Sequence, residues 1–355
     1  MPASSTVRYG IIGTGMMGCE HIGNVGAIDG AEVVAIADPH AESRAWAEQV
    51  AGNELVQFED HRHLLEAGLV DAVVVASPNH THLDVLVDAL AADVHVLTEK
   101  PLCTTVADCR SVIEAAERTS RIVWMGLEYR YMPPVARLIA EVGDGAAGDV
   151  KMVAIREHRF PFLPKVDNWN RFNRNTGGSL VEKCCHYFDL MRRIAGADPV
   201  RVMASGGQDV NHLDERFGGE RPDILDNAYT IVEFDNSVRG MLDLCMFAEA
   251  SRNEQEITVT GDVGKVEAFV PESIVRVGRR ADRTVRVEEV RDPRVRYEGL
   301  HHGSSYLEHL DFLDAVRGDG PVRVTLDDGL WSVAMGVAAQ RSIDEQRSVT
   351  LSEVL

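Results

Sequence analysis

The sequence predicts an α/β domain followed by an α+β domain: a doubly wound parallel sheet, then a mostly antiparallel one. Three observations carry this prediction. At "VRYGIIGTGMMGCEHIG" (residues 7–23) a short apolar strand runs through a glycine turn into a helix. Continuous apolar runs then alternate with helical stretches as far as residue 127. Beyond a long irregular segment, strand-like stretches follow one another with no helix between them. Alternation of the first kind builds parallel sheets, and strands in direct succession pair antiparallel. A chain of 355 residues suits two domains, expected at 1–127 and 128–355.

The first turn holds Gly13, Gly15 and Gly18 in a G-x-G-x-x-G array. Gly13 permits the tight turn, Gly15 lets backbone approach a pyrophosphate, and Gly18 lets the helix pack on the strand. The helix opens at Met16 and Met17 and offers its free N–H groups to phosphate. The next strand, "AEVVAIAD", ends in Asp38, placed to bind the adenosine ribose hydroxyls. Pro39 and His40 follow with no arginine, and an acid at 38 repels a 2′-phosphate, so NAD is expected over NADP. Further strands are expected at 71–77, 94–99 and 121–127, with helices near 41–51, 80–92 and 105–118. Ligands of such sheets bind beyond the carboxyl ends of the strands. That rule gathers Gly13, Asp38, Ser77, Glu99 and Glu128 at one lip, along with Pro78, Asn79 and His82 of "ASPNHTH" and Lys100 of "TEKPL".

After residue 128 a helix near 134–142 leads to an alternating strand at 151–160, ending in Glu157, His158 and Arg159. The irregular "PFLPKVDNWNRFNRNTGG" follows, long enough to be a functional loop, with Trp169, Arg171, Asn173 and Asn175. Then come a helix over "GGSLVEKCCHYFDLMRRIAG", capped by Thr176 or Ser179, and seven strands. Turns are expected at Asp235-Asn236 and Asp262-Val263-Gly264. Helices near 303–317 and 327–346 close the chain; His302 and Tyr306 lie at the start of the first.

The cysteine pair invites four readings: a metal site, a thiol nucleophile, a plain buried helix, or the acid/base wall of an active site. On a helix Cys184, Cys185 and His186 diverge by ~100° each and cannot converge on one ion, so no metal is expected. Free cysteines on apolar faces behave as small hydrophobes. Glu182 and His186, four apart, share a helical face; Cys184, Tyr187, Leu190 and Met191 read as core.

The segments "GIIGTGMMG", "ASPNHTH", "EKPL" and "GGSLVEKCCHYFDL", in register over nearly the whole chain, resemble the glucose–fructose oxidoreductase, inositol dehydrogenase and MocA family. The resemblance implies a Rossmann domain followed by a large, mostly antiparallel open sheet. It implies oxidation or reduction of sugars and cyclitols with a nicotinamide cofactor, and a catalytic role for Lys100. Many members carry Asp-x-x-x-His facing nicotinamide and substrate; here Glu182 and His186 match, with an acid one methylene longer and a Lys183-Cys184-Cys185 filling in place of small residues. The resemblance also implies that Trp169 and Arg171 approach the cofactor's amide, and that the chain self-associates through its sheet as a dimer or tetramer.

The chemistry expected is hydride transfer at a secondary alcohol. His186 takes the proton, Lys100 hydrogen-bonds the reacting oxygen and Glu182 holds a neighbouring hydroxyl, with the lysine and histidine roles exchangeable. Substrate contacts are expected from His158, Asn173, His302 and Tyr306. Two alternatives stand: a glycosidase using NAD for transient oxidation, and a non-catalytic NAD sensor. The formal charge of −20 opposes nucleic acid, anionic membranes and anionic substrates, which leaves a neutral polyhydroxylated one. No apolar run is long enough to span a membrane, the start lacks a signal-peptide layout and no C-x-x-C occurs, so the expected location is cytoplasmic.

Overall fold

The computed structural model describes residues 6–355. The chain forms two compact units, 1–128 with 293–330 and 129–292 with 331–355.

In the first unit the elements run β1 (Val7–Ile12), α1 (Met16–Gly26), β2 (Ala31–Ala37), α2 (Ala41–Ala51), β3 (Val56–Phe58), α3 (His61–Glu66), β4 (Ala72–Val75), α4 (His82–Ala91), β5 (His95–Glu99), α5 (Val106–Ala116) and β6 (Val123–Gly126). The six strands are ordered β3-β2-β1-β4-β5-β6, and every pair is parallel. This is the doubly wound order, with its topological switch between β1 and β4. Buried Val and Ile side chains on β1, β2 and β4 explain their unbroken apolar runs. β3 and α3 were not expected from the sequence; a three-residue strand followed by a one-and-a-half-turn helix is too short for either period to show.

The second unit opens with α6 (Pro133–Gly143) and β7 (Val150–His158), then α7 (Asn173–Thr176), α8 (Ser179–Glu182) and α9 (Cys185–Ala195). Seven strands follow: β8 (Pro199–Gly207), β9 (Asn227–Phe234), β10 (Arg239–Cys245), β11 (Gln255–Gly261), β12 (Gly264–Val270), β13 (Ile274–Arg279) and β14 (Val285–Glu289). Both expected hairpin turns are present, joining β9 to β10 and β11 to β12 antiparallel. The sheet has nine strands in the order β14-β13-β12-β11-β7-β10-β9-β8-β15, the last being a two-residue strand at Val349–Thr350.

Two expectations need correction here. First, β10 and β11 are consecutive yet do not pair: β7 lies between them, parallel to β10 and antiparallel to β11. The connection after β10 wraps the end of β7, with Arg159 N–H donating to the Cys245 carbonyl, Ala248 N–H to that of Arg159, and His158 N–H to that of Glu254. Second, the helix over 177–196 is not continuous. It breaks between α8 and α9 at Lys183 and Cys184, so Glu182 ends one short helix and His186 lies in the first turn of the next. Neither Thr176 nor Ser179 caps it; the Thr176 hydroxyl accepts from Gly178 N–H and the Ser179 hydroxyl donates to the Leu225 carbonyl. Gly178 occupies the cap at φ 91°, a left-handed region that a side chain opposes.

The chain ends with α10 (Ser304–Arg317), α11 (Leu326–Glu345) and β15. α10 belongs to the first unit, where Phe312 meets Tyr9 and Trp124 edge-on at centroid distances of 6.1 and 6.2 Å. All three rings are buried. Phe312→Ala is expected to lower stability by about 3–5 kcal/mol in urea or thermal unfolding, the cost of emptying such a site.

Candidate active site

In the first unit the glycine turn is built as a phosphate cradle. Gly13 sits at φ 88°, and a Cβ there would lie 2.5 Å from Ser77 N. A Cβ on Gly18 would lie 2.0 Å from the Gly13 carbonyl oxygen, which is why β1 and α1 can cross so closely. At Gly15 a Cβ would meet nothing within 4 Å. Gly15 caps α1 with no side-chain bond, so the N–H groups at Met16 and Met17 face that opening with no side-chain cap. The buried Thr14 hydroxyl has no partner among the described residues. These features fit the pyrophosphate of a dinucleotide. Asp38, at the end of β2, accepts from Thr14 N–H at 2.8 Å and from His40 N–H at 2.8 Å, keeping further lone pairs for ribose hydroxyls. Arg44, missed in the sequence reading, spends its guanidinium on the Asp38 and Pro39 carbonyls and on Glu59.

The two loops after β4 and β5 are tied together by His82. Its ring nitrogens reach the Pro101 carbonyl at 2.8 Å and the Ser77 carbonyl at 3.0 Å. Burial pushes this imidazole below its ordinary value, against the three backbone carbonyls that favour its charged form. Thr81 donates to Ser77 Oγ and the Pro78 carbonyl, and Asn79 is buried in the same turn.

Beside the partly exposed Lys100 lies a buried network that the sequence did not signal. The Glu99 carboxylate accepts from Lys100 N–H at 3.0 Å and meets His21 Nε2 at 3.0 Å; His21 Nδ1 meets His309 Nε2 at 2.9 Å. Burial opposes the charge on Glu99, but the His21 hydrogen bond and charge outweigh it and carry the carboxyl down from 4.5 to about 2. Burial likewise opposes a charged His21, and Glu99 outweighs it, raising His21 above 6.5. Burial drives His309, on the far side of His21, well below its ordinary value. The Glu128 carboxylate is turned inward too, accepting from Ser305 and lying 3.3 Å from His301, which also pairs with Glu20. Burial raises Glu128. His302 follows at φ 56°, and Tyr306 is buried in α10 with its hydroxyl 3.4 Å from the Ala27 carbonyl.

In the second unit, His186 lies in the first turn of α9 and is buried, as is Glu182 at the end of α8. The Tyr129 ring stacks on the His186 imidazole, centroids 3.9 Å apart and planes 5° from parallel. Lys183 Nζ donates to the Tyr129 hydroxyl at 2.6 Å and pairs with Glu157 Oε1 at 3.1 Å. Tyr187 donates its hydroxyl to the other Glu157 oxygen, and Arg159 lies 3.5 Å from the first. Burial, and then the Glu157 charge, hold the Tyr187 phenol well above its usual range. Tyr187 was expected to be plain core; it is buried, but as part of this polar cluster. Asp189 pairs with Arg130 at 2.7 Å.

The remaining residues singled out from the sequence are placed differently. β7 alternates, with Val153, Ile155 and Glu157 buried, so His158 falls on the opposite sheet face, where it meets Asp243 at 3.0 Å. Arg171 is buried against Glu215 at 3.1 Å. Asn173 is bonded to Asp223, and Asn175 donates to the Trp169 carbonyl. One signal for the missed cluster is present in the sequence: an acid at 157 in the inward register of an apolar strand requires a buried partner.

A parallel six-stranded unit with an open glycine cradle, followed by a nine-stranded sheet carrying a buried histidine–carboxylate cluster, defines a two-unit oxidoreductase that uses a dinucleotide. Comparison with known proteins identifies which. The model of the oxidoreductase family's NAD-binding Rossmann fold matches residues 7–127, and that of its C-terminal alpha/beta domain matches 140–351. The chain belongs to the Gfo/Idh/MocA oxidoreductase family. It is 30% identical to myo-inositol 2-dehydrogenase of Thermotoga maritima, over 98% of this chain and 100% of that one. It is 26% identical to inositol 2-dehydrogenase of Rhizobium meliloti, with 98% and 100% covered. A crystal structure described as a probable dehydrogenase from Thermotoga maritima superposes with a TM-score of 0.79 at 29% identity, covering 98% of this chain and 100% of that one. Among the described residues no helix is long and apolar enough to cross a membrane.

The Glu99–His21 pair sets a pH window. Glu99 is lowered, so its contribution is present above 4.5 and lost as pH falls toward 2; His21 is raised, so its contribution is present below 6.5 and lost as pH climbs through its raised value. The stability difference between wild type and Glu99→Gln is therefore expected to be largest between pH 4.5 and 6.5 and to shrink on both sides, as measured by urea unfolding across pH.

Proposed function

We propose that this enzyme transfers a hydride reversibly between a secondary alcohol carbon of a cyclitol, polyol or sugar and NAD. The observation that carries the proposal is the buried His186 imidazole, held flat against Tyr129, with Glu182 four residues before it. It occurs in a chain similar over 98% of its length to a myo-inositol 2-dehydrogenase. When bound, NAD supplies the hydride acceptor or donor at its nicotinamide. The chain's own residues do the rest. The cradle at Gly13, Gly15 and Gly18 and the first turn of α1 hold the pyrophosphate, and Asp38 holds the adenosine ribose and repels a 2′-phosphate. Lys100 hydrogen-bonds the reacting oxygen and stabilises its developing negative charge. His186 takes the hydroxyl proton, and Glu182 accepts a hydrogen bond from a neighbouring hydroxyl. The chain's charge of −20 favours a neutral substrate over an anionic one. On the outer sheet face Met152, Tyr229, Ile231 and Met241 are exposed, which supports pairing with a second copy of this chain.

Net NADH formation on a panel of cyclitols and sugars tests the reaction; turnover of a glycoside without net NADH would overturn it. Lys100→Met and His186→Asn are each expected to lower kcat by ~10²–10⁴-fold while NAD still binds, as read by steady-state kinetics and fluorescence titration. Asp38→Ala is expected to raise the KM for NAD and narrow its lead over NADP. Light scattering in solution is expected to give a mass above that of one chain.

A further inference from the structure

The mechanism leaves Lys183 and Glu157 unused, and both are buried. An ion pair under a sheet is poor value for stability alone, since well-packed apolar residues of similar volume do as well or better. Its placement suggests another role. Glu157 stands on β7, a strand paired on both sides. One of its oxygens takes Lys183 Nζ, and Lys183 in turn donates to the Tyr129 hydroxyl at 2.6 Å, whose ring covers the His186 imidazole at 3.9 Å. The other oxygen takes the hydroxyl of Tyr187, the residue next to His186. The histidine is thus braced from its ring face and from its own backbone by a single carboxylate. The break in the helix at Lys183 and Cys184 falls where this brace attaches.

We propose that Lys183 is a positioning residue: anchored on Glu157, it holds Tyr129 against His186 and so fixes the plane in which the imidazole meets the substrate proton. This rests on the reading of His186 as proton acceptor. A group moving a proton must be held within roughly 10–20° of its productive geometry, so loosening the stack costs turnover more than binding.

The test uses the full chain saturated with NAD. Lys183→Met leaves the Glu157 charge short of a partner and is expected to destabilise the fold, so Lys183→Met/Glu157→Gln is made alongside it to leave the cluster's net charge unchanged. The His186 Cε1–H resonance, recorded with 13C-labelled histidine and assigned by its loss in His186→Asn, is displaced upfield by the Tyr129 ring current. In the double variant it is expected to move toward the free-histidine position, while kcat falls ~10–100-fold and KM changes less than about threefold. A resonance that stays in place, or a raised KM with unchanged kcat, overturns the proposal. Wild-type kcat in His186→Asn overturns the proton-acceptor assignment instead, and a shifted resonance in the double variant then still reports the brace.

Discussion

A carboxylate taken out of water must find its partners inside the fold, and in both units that constraint organises the polar core. Glu157 occupies the inward register of β7 with no measurable exposure. Lys183, Tyr187 and Arg159 converge on it from two helices' worth of chain and from the strand's own end. In the first unit Glu20, Glu99 and Glu128 are buried together, and His21, His301 and Ser305 answer them. Leaving any one of these acids unpaired would cost several kcal/mol by the usual desolvation penalty. Each cluster therefore fixes the relative placement of the elements that supply its partners, whatever its net contribution to stability.

The same constraint links packing to chemistry. Lys100 is joined to the first cluster through the residue before it, and His186 to the second through Tyr129 and Tyr187. The residues proposed to act on the substrate are thus set beside Glu99, whose carboxyl is held low by His21, and Tyr187, whose phenol is held high by burial. His82 plays the complementary part. Its ring lies between the two loops, with a backbone carbonyl of each at one of its nitrogens.

Much of the fold was legible because its signals are periodic. The G-x-G-x-x-G turn, the apolar runs of β4, β5 and β6, and the seven later strands all emerged in their places. What escaped was either too short or decided by distant chain. β3 and β15 have three and two residues. The insertion of β7 between β10 and β11 depends on pairing across nearly a hundred residues, which no local period records. In the candidate site, the family resemblance marked Lys100, Glu182 and His186, and the spacing of four added a common helical face for the last two. The helix carrying them is in fact two short ones, broken at Lys183 and Cys184. His158 was assigned toward the substrate by its position at a strand end, but alternation puts it on the other face. Tyr129 carried no signal, since its role arises only when its ring lies on the imidazole.

The return of residues 293–330 to the first unit has a consequence for how such a protein can be inherited or dissected. Its nucleotide-binding half is not a contiguous cassette. A fragment ending at residue 127 would strip the α10 cover from Tyr9 and Trp124 and leave aromatic surface open to solvent. Any transplant of the nucleotide-binding unit into another chain must therefore carry residues 293–330 along with the N-terminal segment.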